Sequence, residues 1–261
     1  MVRLRNKKID IIVGIPTYNE ADSISNTVQK IDKGLSKYFP AYKALIFNVD
    51  SQSSDGTIRV FDEIKTETDK MSLVVKKQPR GKGANIFSLL KIGRKFGAKY
   101  IATIDADITT ITEEWLKLLL NPLIKERVDF VTPVYTRNRY EGNTTNHFCF
   151  PLLYGWFGRK INQPIGGDFA FSAKLIKFYN DQDVWETDVA KFGIDIWLTT
   201  TAIIQGFRIC QTRLGTKIHD VKDPSESLGP MFQQVVTTLF VLMEQNYDYW
   251  KDIKGSAPVP I

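Results

Sequence analysis

Tyr100-Ile101-Ala102-Thr103-Ile104-Asp105-Ala106-Asp107 is an apolar run that ends in two carboxylates separated by one alanine. Residues 100–104 predict a strand, and side chains two apart on an extended chain project to the same side. That periodicity aims Asp105 and Asp107 at one ligand beyond the strand end. Two carboxylates crowded in a crevice repel each other unless a cation lies between them. A divalent ion resolves the conflict, and oxygen ligands favour Mg2+ or Mn2+, ions that also bridge diphosphates.

The chain before this segment repeats the same order of elements. Residues 9–15 predict a strand stopped by Pro16, followed by Tyr18, Asn19 and Glu20 and a helix over 21–38. A second strand, 44–49, ends at Asp50 in a Ser-rich turn with Asp55 and Gly56. A helix from Thr57 leads to a third strand, 72–76, and Gly81-Lys82-Gly83 then opens a helix that ends near Gly97. Strands alternating with helices of this length predict an α/β fold with a mostly parallel central sheet and helices on both faces, because each parallel crossover needs a helix. Ligands of such sheets bind at the C-terminal strand ends. The loops at 16–20, 50–56 and 105–109 should therefore converge on one crevice. Glu20 and Asp50 suit base or ribose donor groups there, and the amides near Gly83, with Lys82, suit a nucleotide or its diphosphate. The G-x-x-x-x-G-K-[ST] spacing is absent, and Ala84 stands where a metal-binding hydroxyl would be, which argues against an ordinary ATPase.

Downstream, Thr110 and Glu113 predict a capping box for the helix containing Trp115. Residues 128–135 read as a strand, and 136–164 as an irregular acceptor-side wall. Gln163-Pro164-Ile165-Gly166-Gly167-Asp168 is a tight turn whose glycines admit close backbone approach and whose carboxylate suits sugar hydroxyls. A helix over 187–205 carries Asp195 in an apolar run beside Trp197, where a charge is costly without a function. Strands at 207–211 and 214–218 precede His219, a candidate third metal ligand; His147 reads as packed or acceptor-facing. The last helix, 227–249, presents Phe232, Val235, Val236, Leu239, Phe240 and Met243 as a stripe, which packs on its own domain or else forms a homodimer or membrane-surface contact. The ends, 1–8 and 255–261, read as frayed. The chain divides as one domain, 1–261, with a nucleotide-binding half at about 9–135 and an acceptor-binding half at about 136–250.

A formal charge of +6 favours an anionic partner. The basic residues are scattered without an RNA- or DNA-reading motif, so nucleic acid is not expected. Cys149 and Cys210 follow no metal or redox spacing and read as buried thiols of a reducing compartment. With neither a signal-type apolar core nor a membrane-length apolar run, the expected location is cytoplasmic.

Taken together, these segments resemble family 2 of the GT-A-type glycosyltransferases, in which a nucleotide-diphospho-sugar is the donor. The resemblance is carried by Ile15-Pro16-Thr17-Tyr18-Asn19-Glu20, by Val49 and Asp50 with Ser54, Asp55, Gly56 and Thr57, and by Asp105-Ala106-Asp107. The second half is similar to the retaining enzymes of the mannosylglycerate synthase and glucosyl-3-phosphoglycerate synthase kind, through Arg80 to Gly83, Gln163 to Asp168, Phe192 to Asp195 and His219. The resemblance implies a hexose donor of the GDP-mannose or UDP-glucose type, bound by Pro16, Tyr18, Glu20, Asp50, Lys82, Gly83, Asp105 and Ala106, with Gln163, Gly166 and Gly167 on the sugar side. It implies Mg2+ or Mn2+ on Asp107 and His219, catalytic roles for Asp168 and Asp195, and a small anionic acceptor such as glycerate or phosphoglycerate met by Arg137, Arg139 and Thr144. Transfer in that subgroup retains anomeric configuration; an inverting alternative makes Asp195 or Asp168 a general base. The turn ends in Asp168 where glutamate is familiar in mannosylglycerate synthase, and the segment 138–164 departs from the pattern. The competing expectations are a polyprenyl-phosphate hexosyltransferase at a membrane surface and a nucleotide-sugar binding protein without catalysis.

Overall fold

The computed structural model describes residues 8–76, 81–138, 141–218 and 224–261, with backbone alone for 224–227. The first half runs β1 (Ile11–Thr17), α1 (Ile24–Tyr38), β2 (Ala44–Asp50), α2 (Thr57–Glu63), β3 (Asp69–Val74), α3 (Lys82–Phe96), β4 (Tyr100–Thr103), α4 (Glu114–Lys125) and β5 (Phe130–Thr136). A π-helical turn (Thr145–Cys149) leads into α5 (Phe150–Phe157), followed by β6 (Arg159–Lys160), β7 (Ala170–Ser172) and α6 (Ala173–Asn180). A 3-10 turn (Asp188–Ala190), α7 (Ile194–Ile204), β8 (Ile209–Thr216), α8 (Pro224–Gln245), α9 (Tyr247–Trp250) and β9 (Ala257–Pro258) complete the chain.

Seven strands form one sheet in the order β3-β2-β1-β4-β7-β5-β8, in which β7 is antiparallel to its neighbours β4 and β5 while the other pairs are parallel. Both faces are covered, which explains why Ile11 to Ile15 are buried without alternation. One face packs on α1, α2 and α4 through Val28, Ile31, Phe61, Trp115 and Leu119. The other packs on α3, α6 and α7 through Leu89, Leu90, Ile176, Tyr179, Trp197 and Leu198. A third cluster joins α5, α7 and α8 around Leu153, Ile196, Ile203 and Leu239. Strand order reverses between β1 and β4, the place where an open α/β sheet leaves a crevice at its C-terminal edge.

The α/β architecture with helices on both faces agrees with the sequence reading, and several local expectations do not. Pro16 does not stop β1; it pairs opposite Val49 inside the strand. The Thr17 carbonyl faces β2, where it accepts from Ser51 N, and the Gly14 carbonyl faces β4, where it accepts from Ile104 N. Pro16 therefore turns its missing donor to the β4 side, where the β1–β4 pairing ends at Gly14 and Thr103. β3 begins at Asp69, earlier than predicted. Thr110 does not cap α4: its hydroxyl donates to the Thr216 carbonyl and accepts from Ile218 N, while Glu113 pairs with Lys37. The supposedly irregular stretch after β5 contains the π-helical turn and α5. The expected helix over 187–205 is split, with Thr187 capping the 3-10 turn before α7 begins at Ile194. Residues 207–218 hold one strand, β8, in place of two.

On α8 the buried face is Val235, Thr238, Leu239 and Leu242, whereas Phe232 and Phe240 each remain 42% exposed. The tail is docked. β9 pairs with β6, Val259 is buried, and Gln211 on β8 donates its backbone N–H to the Pro260 carbonyl and its amide to the Val259 carbonyl. Deleting residues 256–261 is expected to lower the unfolding free energy by about 2 kcal/mol, chiefly through exposure of the Val259 pocket, as read by urea denaturation.

Candidate active site

The crevice begins at the end of β1. The Thr17 hydroxyl donates to Asp50 Oδ2 at 2.9 Å and accepts from Asn48 Nδ2 at 2.8 Å. Asp50 also accepts from Ser53 N at 2.8 Å and is fully buried. Asn85 on α3 ties this layer to the helix, accepting from Ser51 Oγ and donating to the Thr17 carbonyl. Two residues at the rim, Asn19 and Gln52, hold left-handed backbone with φ of 56° and 65°, a conformation uncommon outside glycine and concentrated at functional positions. Asn19 is fixed there by donating to Ser53 Oγ and accepting from Ser54 N. Tyr18 is 60% exposed, Pro16 and Glu20 are half-buried, and Glu20 accepts from Ser23 Oγ.

Beside this layer lies a chain of buried charges drawn from five segments. Lys82, the first residue of α3, places its ammonium 3.0 Å from Asp105 Oδ1 and 3.1 Å from Asp195 Oδ2. Lys217, just after β8, reaches Asp105 Oδ2 at 2.9 Å, Asp168 Oδ2 at 2.7 Å and the Gly166 carbonyl at 3.0 Å. Asp168 accepts further from Asp105 N at 2.8 Å and from the Tyr135 hydroxyl. Asp195 lies in the first turn of α7, where the helix N-terminus favours a carboxylate. Three carboxylates thus face two ammonium groups.

Their titration follows from this arrangement. Burial disfavours the charged form of Asp105, but Lys217 and Lys82 more than offset it and hold the carboxyl well below its ordinary range. Asp168 has the opposite balance: burial dominates, Lys217 opposes it only in part, the Asp105 charge adds to it, and the carboxyl is raised. Asp195 is raised too, by burial against the pull of Lys82. Burial lowers both lysines and their carboxylates more than reverse this, so Lys82 and Lys217 are firmly charged at neutral pH.

Gly167 makes this packing possible. Its φ of +86° suits glycine, and a Cβ there would stand 2.3 Å from Asp105 Oδ2 and 2.9 Å from Lys82 Nζ. Gly167→Ala is expected to cost about 1–2 kcal/mol in left-handed strain alone and to push Asp105 off Lys82. Denaturation and any activity assay should both register it.

The structure brings Lys82, Asp105, Gly166, Gly167, Asp168 and Asp195 together. Gln163 lies apart from these charges, with Asn146, Phe150 and Asn162. Arg137 stacks its guanidinium over Tyr135 at 5.1 Å, and Thr144 stands just before the π-helical turn without a side-chain capping bond. His147 is exposed on that turn. Arg80, Arg139 and His219 lie outside the described residues. Three expectations are corrected. The strand ends at Thr103 and residues 106–107 form a turn, so the extended-chain argument does not align Asp107 with Asp105. Asp105 is not uncompensated, because two lysines flank it. The Gly83 amide donates to the Lys191 carbonyl instead of facing the crevice, and the Ala106 carbonyl accepts from Thr27 Oγ1.

Sequence reasoning missed Lys217 and Tyr135. Cys210 and Leu214 share one face of β8, so simple alternation puts Lys217 on the other. A bulge at Arg213–Gly215, opposite Val134 and Tyr135, with Gly215 at φ +82°, shifts the parity and turns Lys217 back to the face of Tyr135.

Among the described residues no three His, Cys, Asp or Glu side chains gather as a metal site, and no helix is long and apolar enough to cross a membrane. Cys149 and Cys210 are buried free thiols, both pushed up to about 12 by burial.

No curated protein matches the chain. Solved structures do. Glucosyl-3-phosphoglycerate synthase from Mycobacterium tuberculosis, in complex with Mn2+, UDP-glucose and phosphoglyceric acid, is similar at 23% identity and a TM-score of 0.70, over 90% of this chain and 80% of that one. The same enzyme with Mg2+ and UDP is similar at 22% identity and a TM-score of 0.68, over 90% and 79%. These likenesses establish the GT-A-like fold. Residues 12–185 match the sequence family described as Glycosyl transferase family 2. With well over half of its length in that match, this chain belongs to glycosyl transferase family 2 and is a glycosyltransferase.

Proposed function

We propose that the protein transfers a hexose from a nucleotide-diphosphate sugar of the UDP-glucose or GDP-mannose type to a small anionic acceptor, with retention of configuration. The observation that carries this reading is Lys82, a charged lysine at the N-terminus of α3 held between Asp105 and Asp195 beside the β1–β4 crevice. A diphosphate entering there meets the ammonium. On this reading Pro16, Tyr18, Glu20 and Asp50 hold the nucleoside, while Gly166, Gly167 and Asp168 bound the donor sugar.

Asp107 is half-buried at the turn after β4, and Thr109 on the same turn donates to the Ile218 carbonyl, where β8's extension ends. Asp107 from this turn, together with His219, would hold Mn2+ or Mg2+. Such an ion, when bound, neutralises charge on the departing diphosphate. Asp105 is excluded from that set while two lysines occupy its oxygens.

In the transfer, the acceptor hydroxyl oxygen bonds to the anomeric carbon while the bond from that carbon to the phosphate oxygen breaks. The electron pair leaves on the nucleoside diphosphate, and the hydroxyl proton passes to a diphosphate oxygen on the same face. Lys82 stabilises the leaving charge, and Asp195 orients the hydroxyl or balances the developing cation. Arg137 and Thr144 receive the acceptor's anionic group. Mixing the protein with each donor, Mn2+ and 3-phosphoglycerate or glycerate should release nucleoside diphosphate, with a retained anomeric signal in the product by NMR. Donor binding without any turnover or hydrolysis would reduce the protein to a nucleotide-sugar binder.

One observation favours a second reading, a polyprenyl-phosphate acceptor at a membrane: Leu228, Phe232, Phe240 and Val241 are exposed along α8. That reading predicts co-sedimentation with anionic vesicles, abolished by Phe240→Asp; a protein left in the supernatant by every vesicle removes it.

A further inference from the structure

A cavity of about 300 Å³ lies between the π-helical turn and the chain leading to β7, lined by Asn146, Phe150, Asn162 and Gln163. Among the described residues its lining comprises three carboxamide residues and one aromatic residue, none of them charged. Gln163 is 6% exposed, and its Oε1 accepts no hydrogen bond among the described residues, a costly state for a buried acceptor unless a ligand donor meets it. The wall is held rigidly. Asn162 N donates to Gln211 Oε1 at 2.7 Å, Gln211 Nε2 donates to the Lys160 carbonyl, and the Pro164 carbonyl accepts from Thr199 Oγ1.

Arg137 borders the same place. A Cβ added at Gly142 would lie 3.3 Å from Arg137 Cδ and 3.4 Å from Asn146 Nδ2, so these side chains are neighbours across that glycine. Arg137 Nε is buried and has no hydrogen-bond partner among the described residues. One unmet cationic donor and one unmet amide acceptor thus flank a cavity the size of a single sugar ring. Carboxamides match vicinal hydroxyls, each of which both donates and accepts, and an aromatic face matches the C–H face of a pyranose.

We propose that this cavity binds a monosaccharide ring of the acceptor whose anionic group, a phosphate or a carboxylate, pairs with Arg137, so that the substrate accepting the hexose is an anionic sugar. This rests on the glycosyl-transfer reading above and narrows its acceptor from any small anion to a ring-bearing one. Bond changes are those already written, with the attacking hydroxyl now on the sugar.

The test is calorimetry in Mn2+ with UDP or GDP already bound, titrating glucose 6-phosphate, mannose 6-phosphate, glucuronate and 3-phosphoglycerate separately. At least one anionic hexose should bind, and Asn146→Ala and Asn162→Ala should each weaken it about tenfold, the loss of one hydrogen bond to the ligand, while nucleotide affinity stays unchanged. The phosphates and the glucuronate distinguish the two kinds of anion. Nucleotide binding with no response to any anionic hexose overturns the inference, as does an anionic hexose that binds both variants as tightly as the wild type. If no nucleotide binds the folded protein, the donor reading falls, and this acceptor assignment falls with it.

Discussion

Lys217→Met is expected to destabilise the protein by about 3–5 kcal/mol, the cost of breaking a buried ion pair from one side. The Lys217 side chain is 4% exposed and its ammonium bonds Asp105, Asp168 and the Gly166 carbonyl. Methionine preserves much of the length and none of the charge, leaving Asp168, fully buried, with only the Tyr135 hydroxyl and Asp105 N as partners. The pH dependence identifies the cause. Burial already holds the Asp168 carboxyl above its ordinary value of 3.8, so the folded state keeps a proton there that the unfolded chain releases. That contribution is fully present below the unfolded value and is lost as pH rises through the folded one. Without Lys217 the folded value climbs further, so the gap between wild type and variant should narrow on acidification, measured by urea denaturation at several pH values. Adding Asp168→Asn to Lys217→Met should recover part of the loss. A double variant that loses the sum of both single effects would show that the two residues do not act as a pair.

Lys82→Met is expected to cost about 10²–10³ in kcat, the scale on which removing a preorganised group that stabilises developing charge is felt. Its ammonium touches both Asp105 and Asp195, and the added-Cβ position on Gly167 lies only 2.9 Å from it. A guanidinium is wider and planar, so Lys82→Arg should not rescue the activity. The loss of Lys82 also removes the charge that opposes burial at Asp195, whose carboxyl is already raised. The acid limb of the pH–rate profile should therefore move to higher pH in Lys82→Met. An unmoved limb would mean that Asp195 does not titrate in the transfer.

The contrast between what alternation reveals and what it hides runs through this site. β1, β2 and β4 were legible because parallel strands covered on both faces are continuous apolar runs, and Gly97 marked the end of α3 because a left-handed cap requires it. Asp105, Asp168, Asp195 and Lys82 could be picked out as charges lodged in apolar or glycine-rich surroundings. Their mutual neutralisation could not, since it depends on segments as far as 113 residues apart meeting at one sheet edge. Lys217 was hidden by a local break in period: the bulge at Gly215 reverses which side of the sheet it faces. Tyr135 was hidden because an aromatic at the end of a strand reads as core, and its hydroxyl acquires a role only once Asp168 is opposite. The docked tail escaped notice because two-residue strands carry no periodicity, and its partners on β8 lie about fifty residues earlier.

Lys82 and the β1–β4 crevice are the proposed seat of the donor's nucleoside diphosphate. Calorimetric titration of UDP, GDP, UDP-glucose and GDP-mannose in Mn2+, into wild type and into folded Lys82→Met, tests it most directly. One nucleotide and its sugar should bind saturably to the wild type and about tenfold or more weakly to the variant, as expected for loss of a charge-assisted contact. Binding to none of the four, or equal binding to both proteins, would contradict it.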